Sequence, residues 1–144
     1  MVAITALFII GCATPYVLNT PSGKPEVTIA GNVAEQVASL MINGMIDIGM
    51  QVKSQSSSMI VFEQDSTDIM LNAMIGAPGG INKIRMTVNL IQYGGNTRVV
   101  CSIAHVSYDN YTGAESVRTL NHNQNIKSVQ QGLLSLKKKL ESSP

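Results

Sequence analysis

The chain has no tryptophan, two phenylalanines and four tyrosines in 144 residues. Any core must therefore be filled by aliphatic side chains and the eight methionines. Charge is scarce as well: Asp, Glu, Lys and Arg make up 13%, against about 25% in an average globular chain. Ten basic and nine acidic residues leave a net charge of +1. Nothing in that balance points to nucleic acid or a strongly charged ligand. Two cysteines and two histidines, with no Cys-x-x-Cys and no helical His pairing, exclude a zinc site of the usual spacings. No apolar run reaches the roughly 20 residues that span a bilayer as a helix.

What is present begins at the amino end. Val2–Ile10 is apolar apart from Thr5, and Gly11 then precedes Cys12. Such a run suits the apolar part of an export signal and is too short to cross a membrane. No basic residue precedes it, which leaves open a leader that starts further upstream. Ile9-Ile10-Gly11-Cys12 resembles the lipobox of small bacterial envelope lipoproteins. The resemblance implies that residues 1–11 are a signal peptide cut before Cys12. It also implies that Cys12 is the lipidation site, carrying a diacylglycerol thioether and a palmitate-type chain on its new amino end. Two or three acyl chains, at about 0.8 kcal/mol per buried methylene, hold a small domain on a membrane almost permanently. Ala13 stands where the retention rule of enteric lipoproteins calls for aspartate. The resemblance therefore implies the outer membrane, facing the periplasm, in a Gram-negative cell. The alternative is a buried first strand with Cys12 as a core thiol; Ala13–Gly23, poor in apolar anchors, argues against it. With Cys12 lipidated, Cys101 has no partner for a disulfide.

Residues 12–24 read as a tether, with Pro15, Pro21 and Gly23, although Tyr16, Val17 and Leu18 could dock onto the domain. Residues 25–144 then form one domain, large enough for one core and too small for two. Glu26–Ala30 reads as a strand. Asn32 and Glu35 have the spacing of a capping box. Val33, Val37, Leu40, Met41, Met45 and Ile48 recur at helical steps up to Gly49, a left-handed stop. Gly44 inside that helix costs about 1 kcal/mol relative to alanine, which close approach to the sheet would explain. Met50–Ser54 and Ser58–Glu63 read as strands, the second apolar on both faces and hence interior. Asp65 caps a short helix over Ser66–Ile75, ended by Pro78-Gly79-Gly80. Lys83–Tyr93 alternates, Gly94-Gly95-Asn96 turns, and Thr97–Ser107 returns. Asp109–Asn125 is polar and reads as a long surface loop. Ile126, Val129, Leu133, Leu136 and Leu140 mark a last amphipathic helix, with Lys137-Lys138-Lys139 at its carboxyl end.

The order is strand, helix, strand, strand, short helix, strand, strand, helix. Two amphipathic helices must bury their stripes on a shared surface. The expected class is α+β: a mainly antiparallel sheet of four to five strands with two long helices packed on one face. The pattern resembles the helix-grip domains of some envelope lipoproteins. Ser22–Ile29 and Tyr93–Val100 are similar to stretches in small bacterial lipoproteins of uncharacterised function, a group that supplies no activity.

No constellation points to catalysis. His105 sits in a strand and His122 among asparagines; a site on either would need Asp109 or Glu115 beside it. Cys101 alternates with Val99 and Ile103 on an apolar face, where a thiol is usually inert. Ser56-Ser57-Ser58 lacks a nucleophile elbow. Asp65 and Asp68 are explained by capping. Gly76–Gly80 lacks the Lys and Ser/Thr of a phosphate loop. The expectation is therefore no enzyme, no cofactor and no metal. The favoured function is a lipid-anchored, non-catalytic interaction domain with an envelope protein partner, accessory to a larger assembly. The alternative is a carrier of a small apolar ligand held between helices and sheet, in the methionine-rich half. A third reading is a hydrolase using His105 or His122. The polar stretch Tyr108–Asn125 is a candidate recognition loop.

Overall fold

The computed structural model describes residues 18–66, 81–120 and 124–142. In chain order these contain β1 (Glu26–Ala30), α1 (Ala34–Asp47), β2 (Gln51–Gln55), β3 (Met59–Asp65), β4 (Ile81–Tyr93), β5 (Asn96–Tyr108), β6 (Glu115–Thr119) and α2 (Gln124–Glu141). The fold is α+β. The strands form one sheet in the order β1-β5-β4-β3-β2, with β6 also on β5, and every pairing is antiparallel.

The long hairpin of β4 and β5 is the centre of this sheet. Each strand has 13 residues, and Gly94 and Gly95 between them sit at φ of 54° and 76°. Both central turn positions are left-handed, as the hairpin turn that matches strand twist requires, and glycine meets that at least cost. Pairing in register stacks Met86 on Ile103, Val88 on Cys101 and Leu90 on Val99. Phe62 and Ile60 continue those rows on β3, and Val27 continues them on β1. Directly opposed residues share a face, so these side chains line one side of the sheet. They join Val37 and Met41 of α1 and Ile126 and Leu133 of α2 in one hydrophobic cluster. β3 lies between β4 and β2, and Val61, facing away from that cluster, is also buried.

Helix α2 runs beside the outer edge of β1 and satisfies the backbone groups exposed there. Gln130 accepts from the Glu26 N–H at 2.8 Å and donates to the Glu26 carbonyl at 3.0 Å. Lys137 donates to the Thr28 carbonyl at 2.6 Å, and Glu141 accepts from the Ala30 N–H at 2.9 Å. An edge strand covered this way cannot template pairing with another chain.

The structure departs from the sequence reading in three places. The sheet has six strands where four to five were expected, because Glu115–Thr119 forms β6 inside the polar loop. All five of its residues are exposed, so no apolar alternation announced it. The Asn32–Glu35 capping box is absent: Val33 is the N-cap of α1 and no side chain caps locally. Instead the Val33 N–H donates to the Thr97 hydroxyl, which donates to the Gly31 carbonyl. Gly44 does not approach the sheet, since a Cβ built on it meets nothing within 4 Å. Leu18 docks onto the domain, as the sequence reading allowed: it is buried in the core cluster, and a turn from Thr20 to Gly23 carries the chain into β1. The expected short helix over Ser66–Ile75, the glycine-rich stretch Gly76–Gly80, His122 and Cys12 with its lipobox lie outside the described residues, Ser66 alone excepted.

Candidate functional site

Leu140 lies near Glu35 and Leu40, and Ser128 and Val129 lie near Met45 and Ile48. The two helices therefore run antiparallel, with a groove of about 350 Å³ between them. From α1 it is lined by Leu40, Met41, Gly44, Met45 and Ile48. From α2 it is lined by Ser128, Val129, Gly132, Leu133 and Leu136. Ser128 supplies the single side-chain hydroxyl in this wall. Met41 and Leu133 reach through to the core, whereas Ile48 is 63% exposed. The apolar stripe read from the sequence of α1 is thus divided. Val37 and Met41 bury in the core, while Leu40 and Ile48 form the groove.

Two glycines mark the middle of the groove. Gly44 and Gly132 each lie within a helix, and a Cβ at either would meet nothing within 4 Å. Each costs its helix up to about 1 kcal/mol relative to alanine. Internal packing does not demand either one. Their shared effect is to keep two opposed walls of the groove low. A broader depression of about 610 Å³ lies between α1 and the serine turn; it is lined by Glu35, Ser39 and Asn43 among others and brings no reactive pair together.

On the face of the sheet away from the core, an ionic network crosses five strands. Arg85 on β4 donates through Nε to Glu63 of β3 at 2.7 Å. It also forks onto both oxygens of Glu115 on β6, at 2.6 and 3.0 Å. Lys53 of β2 donates to Glu63 at 2.9 Å and to the Tyr108 hydroxyl of β5 at 3.2 Å. Burial would raise the pKa of Glu63, but Lys53 and Arg85 outweigh it and hold the carboxyl below its ordinary value. Arg85 lowers Glu115 in the same way. Three cations, Lys53, Lys83 and Arg85, face three carboxylates, Glu63, Asp65 and Glu115. With the charges internally matched, the network reads as a clamp that holds β6 and β2 to the sheet.

The sequence candidates for chemistry are placed apart. His105 and Cys101 share a strand face four residues apart, about 13 Å along the strand, beyond thiol–imidazole contact. Burial pushes the Cys101 thiol up to about 12. Glu115 pairs with Tyr108 in register and His105 with Arg118, so the odd spacing of Glu115 and Arg118 on β6 puts them on opposite faces: Glu115 joins the outer network, and Arg118 stands beside His105, which is buried on the core side. Asp109 accepts from the Tyr111 and Thr112 N–H groups at 2.8 Å and organises a turn. Ser56 does the same for Ser58 and Met59. Among the described residues no group of three or more His, Cys, Asp or Glu could hold a metal ion, and no helix is long and apolar enough to cross a membrane. The groove itself was missed in the sequence reading; Gly44 and Gly132 at helical positions were its only signal. Comparison with known proteins finds no match to any family model, curated protein or solved structure.

Proposed function

We propose that this protein is a lipid-anchored, non-catalytic binding domain of a bacterial envelope, and that the groove between α1 and α2 is its binding surface. The observation that carries the reading is the pair of mid-helix glycines, Gly44 and Gly132, opposed across an apolar groove that no internal contact requires them to keep open. In this reading both helices lie side by side on one face of the sheet. Their shared membership of a single core cluster supports that arrangement. Cys12, with a diacylglycerol and a palmitate-type chain, holds the domain at the outer membrane on its periplasmic side, and an envelope protein occupies the groove as part of a larger assembly.

A second reading has its own observation. A wall of apolar side chains with the Ser128 hydroxyl, enclosing about 350 Å³, falls within the range of small-molecule sites, about 300–1,000 Å³. That favours a carrier of a small apolar ligand.

One experiment separates the two. A photoreactive side chain at position 132, activated in intact cells, should yield a discrete protein adduct. A lipid-sized adduct instead would establish the carrier. No adduct from position 132, with capture from an exposed position on the sheet, would reject the groove as the binding surface. Anchoring is tested separately. Wild type should take up a palmitate analogue and fractionate with outer-membrane markers, while Cys12→Ser should take up none. Unlabelled wild-type protein that keeps residues 1–11 would reject the anchor and leave the groove reading standing.

A further inference from the structure

His105 lies on β5 with 1% of its surface exposed. Its Nε2 atom is buried without a hydrogen-bond partner. Directly opposite it in register, on β6, stands Arg118. A neutral imidazole tolerates that position at the cost of one unmade hydrogen bond; an imidazolium would be desolvated beside a guanidinium. Like charges directly opposed across an antiparallel pair are destabilising even at a surface.

We propose that β6 is an acid-releasable strand: protonation of His105, opposed to Arg118, opens the β5–β6 pairing and uncovers the outer edge of β5 at residues 104–108. The inference is independent of the groove and of the anchor.

Among the described residues, the surroundings of His105 offer a new proton no compensation. On β4, core-side neighbours are Ile84 and Met86, and on β3 they are Gln64 and Phe62. On β5 itself the nearest same-face residues are Ile103 and Ser107, with the neutral Cys101 thiol beyond. The core positions of α1 and α2, Val37, Met41, Ile126 and Leu133, are uncharged. Among the described residues Arg118 is thus the charged group that faces the imidazole from a paired strand. Burial and then Arg118 both hold the His105 pKa below its ordinary value.

Of the strands paired with β5, β6 is the one whose release relieves His105, although the Arg85–Glu115 pair at its start and the Leu120 N–H bond to the Ile103 carbonyl at its end must part with it. This strand is five residues long, wholly exposed, and pairs with β5 alone. By contrast β4 is paired on both sides along the hairpin. Opening β6 gives the imidazolium water and separates it from Arg118. β1 and β6 share one edge of β5, at residues 96–100 and 104–108 respectively. Once β6 leaves, the second segment presents unpaired backbone donors and acceptors, the surface on which an extended peptide adds as a strand.

The test is residue-resolved amide hydrogen exchange on the intact protein at pH 7.5 and 5.5, corrected for the intrinsic pH dependence of exchange. Amides of residues 116–119 and their β5 partners should lose up to about tenfold in protection at the lower pH, the limit that one proton allows over one pH unit below the free-histidine value. Amides of the β1–β5 and β3–β4 ladders should not change. His105→Gln should abolish the effect, and Arg118→Ala should reduce it. Because His105 is buried, the glutamine variant could fail to fold; the exposed Arg118→Ala then decides by itself. Unchanged protection of β6 at pH 5.5, an equal loss in all strands, or a loss undiminished in Arg118→Ala would each overturn the proposal.

Discussion

Thr97 shows how one side chain replaces a local motif. Its hydroxyl is fully buried, accepts from the Val33 N–H at 3.0 Å and donates to the Gly31 carbonyl at 2.9 Å. It thereby holds the N-cap residue of α1 and the turn out of β1 from a strand 64 residues away in sequence. Thr97→Val, nearly isosteric, should lower stability by about 2 kcal/mol in denaturant unfolding, because two buried polar groups lose their partner. Thr97→Ser should recover most of that; a neutral valine variant would show that the two hydroxyl bonds carry no weight. The opposite sign is expected at Gly44. A methyl group there meets open space, so Gly44→Ala should raise stability by about 0.5–1 kcal/mol through helix propensity. A destabilised alanine variant would mean that the groove wall is in closer contact than the geometry indicates.

At the scale of elements, α2 performs two tasks. It places Ile126 and Leu133 in the core and covers the β1 edge through Gln130, Lys137 and Glu141. Each buried aliphatic side chain contributes about 1.5–3 kcal/mol, and a whole domain is stable by only about 5–15 kcal/mol. A chain ending at residue 125 should therefore show no cooperative melting and should aggregate through the uncovered edge. An unchanged melting transition would show that α2 is dispensable. The ionic network makes a second element-scale claim. Glu63 is buried and shared by Arg85 and Lys53, whereas the Asp65 side chain is 83% exposed. Glu63→Gln should cost about 2 kcal/mol, as loss of hydrogen bonds to a charged group does. Asp65→Asn should stay within about 0.5 kcal/mol. Equal effects from the two, measured by denaturant unfolding, would reject the clamp.

For the whole molecule, stability should fall with acid in two windows of different origin. Folded His105 resists a proton that the unfolded chain accepts, so stability is full above its ordinary value near 6.5 and declines as pH falls below it. Glu26, Glu63 and Glu115 are held below their ordinary value near 4.5. Their contribution is full above that value and is lost as pH falls through the folded values. Thermal unfolding from pH 8 to pH 3 should show a first decline below pH 6.5 that His105→Gln removes. A second decline below pH 4.5 should be reduced in Glu63→Gln. A single decline confined to the region below pH 4.5 would show that His105 is protonated without cost.

How much of this was legible depends on how local each cause is. The alternation of Ile84, Met86, Val88 and Leu90 and the Gly94-Gly95 turn specify the central hairpin within one short window, so sequence by itself determined that β4 and β5 pair; their register followed from a two-residue turn that puts Asn96, expected in the turn, opposite Tyr93. Sequence likewise determined α1 up to Gly49, which takes the left-handed φ of 90°, and the amphipathic α2. Three things were decided only by tertiary structure. β6 exists because β5 is longer than β1 and leaves its edge open at residues 104–108, a property of the partner and not of Glu115–Thr119. The tie on the N-cap residue of α1 came from Thr97, because a hydroxyl placed by strand pairing can reach the Val33 N–H as well as a local side chain can. The groove arose where α1 and α2 meet, since the depth between two helices is set by which residues oppose each other. Gly44 and Gly132 are 88 positions apart in the chain, and only packing brings them to one groove.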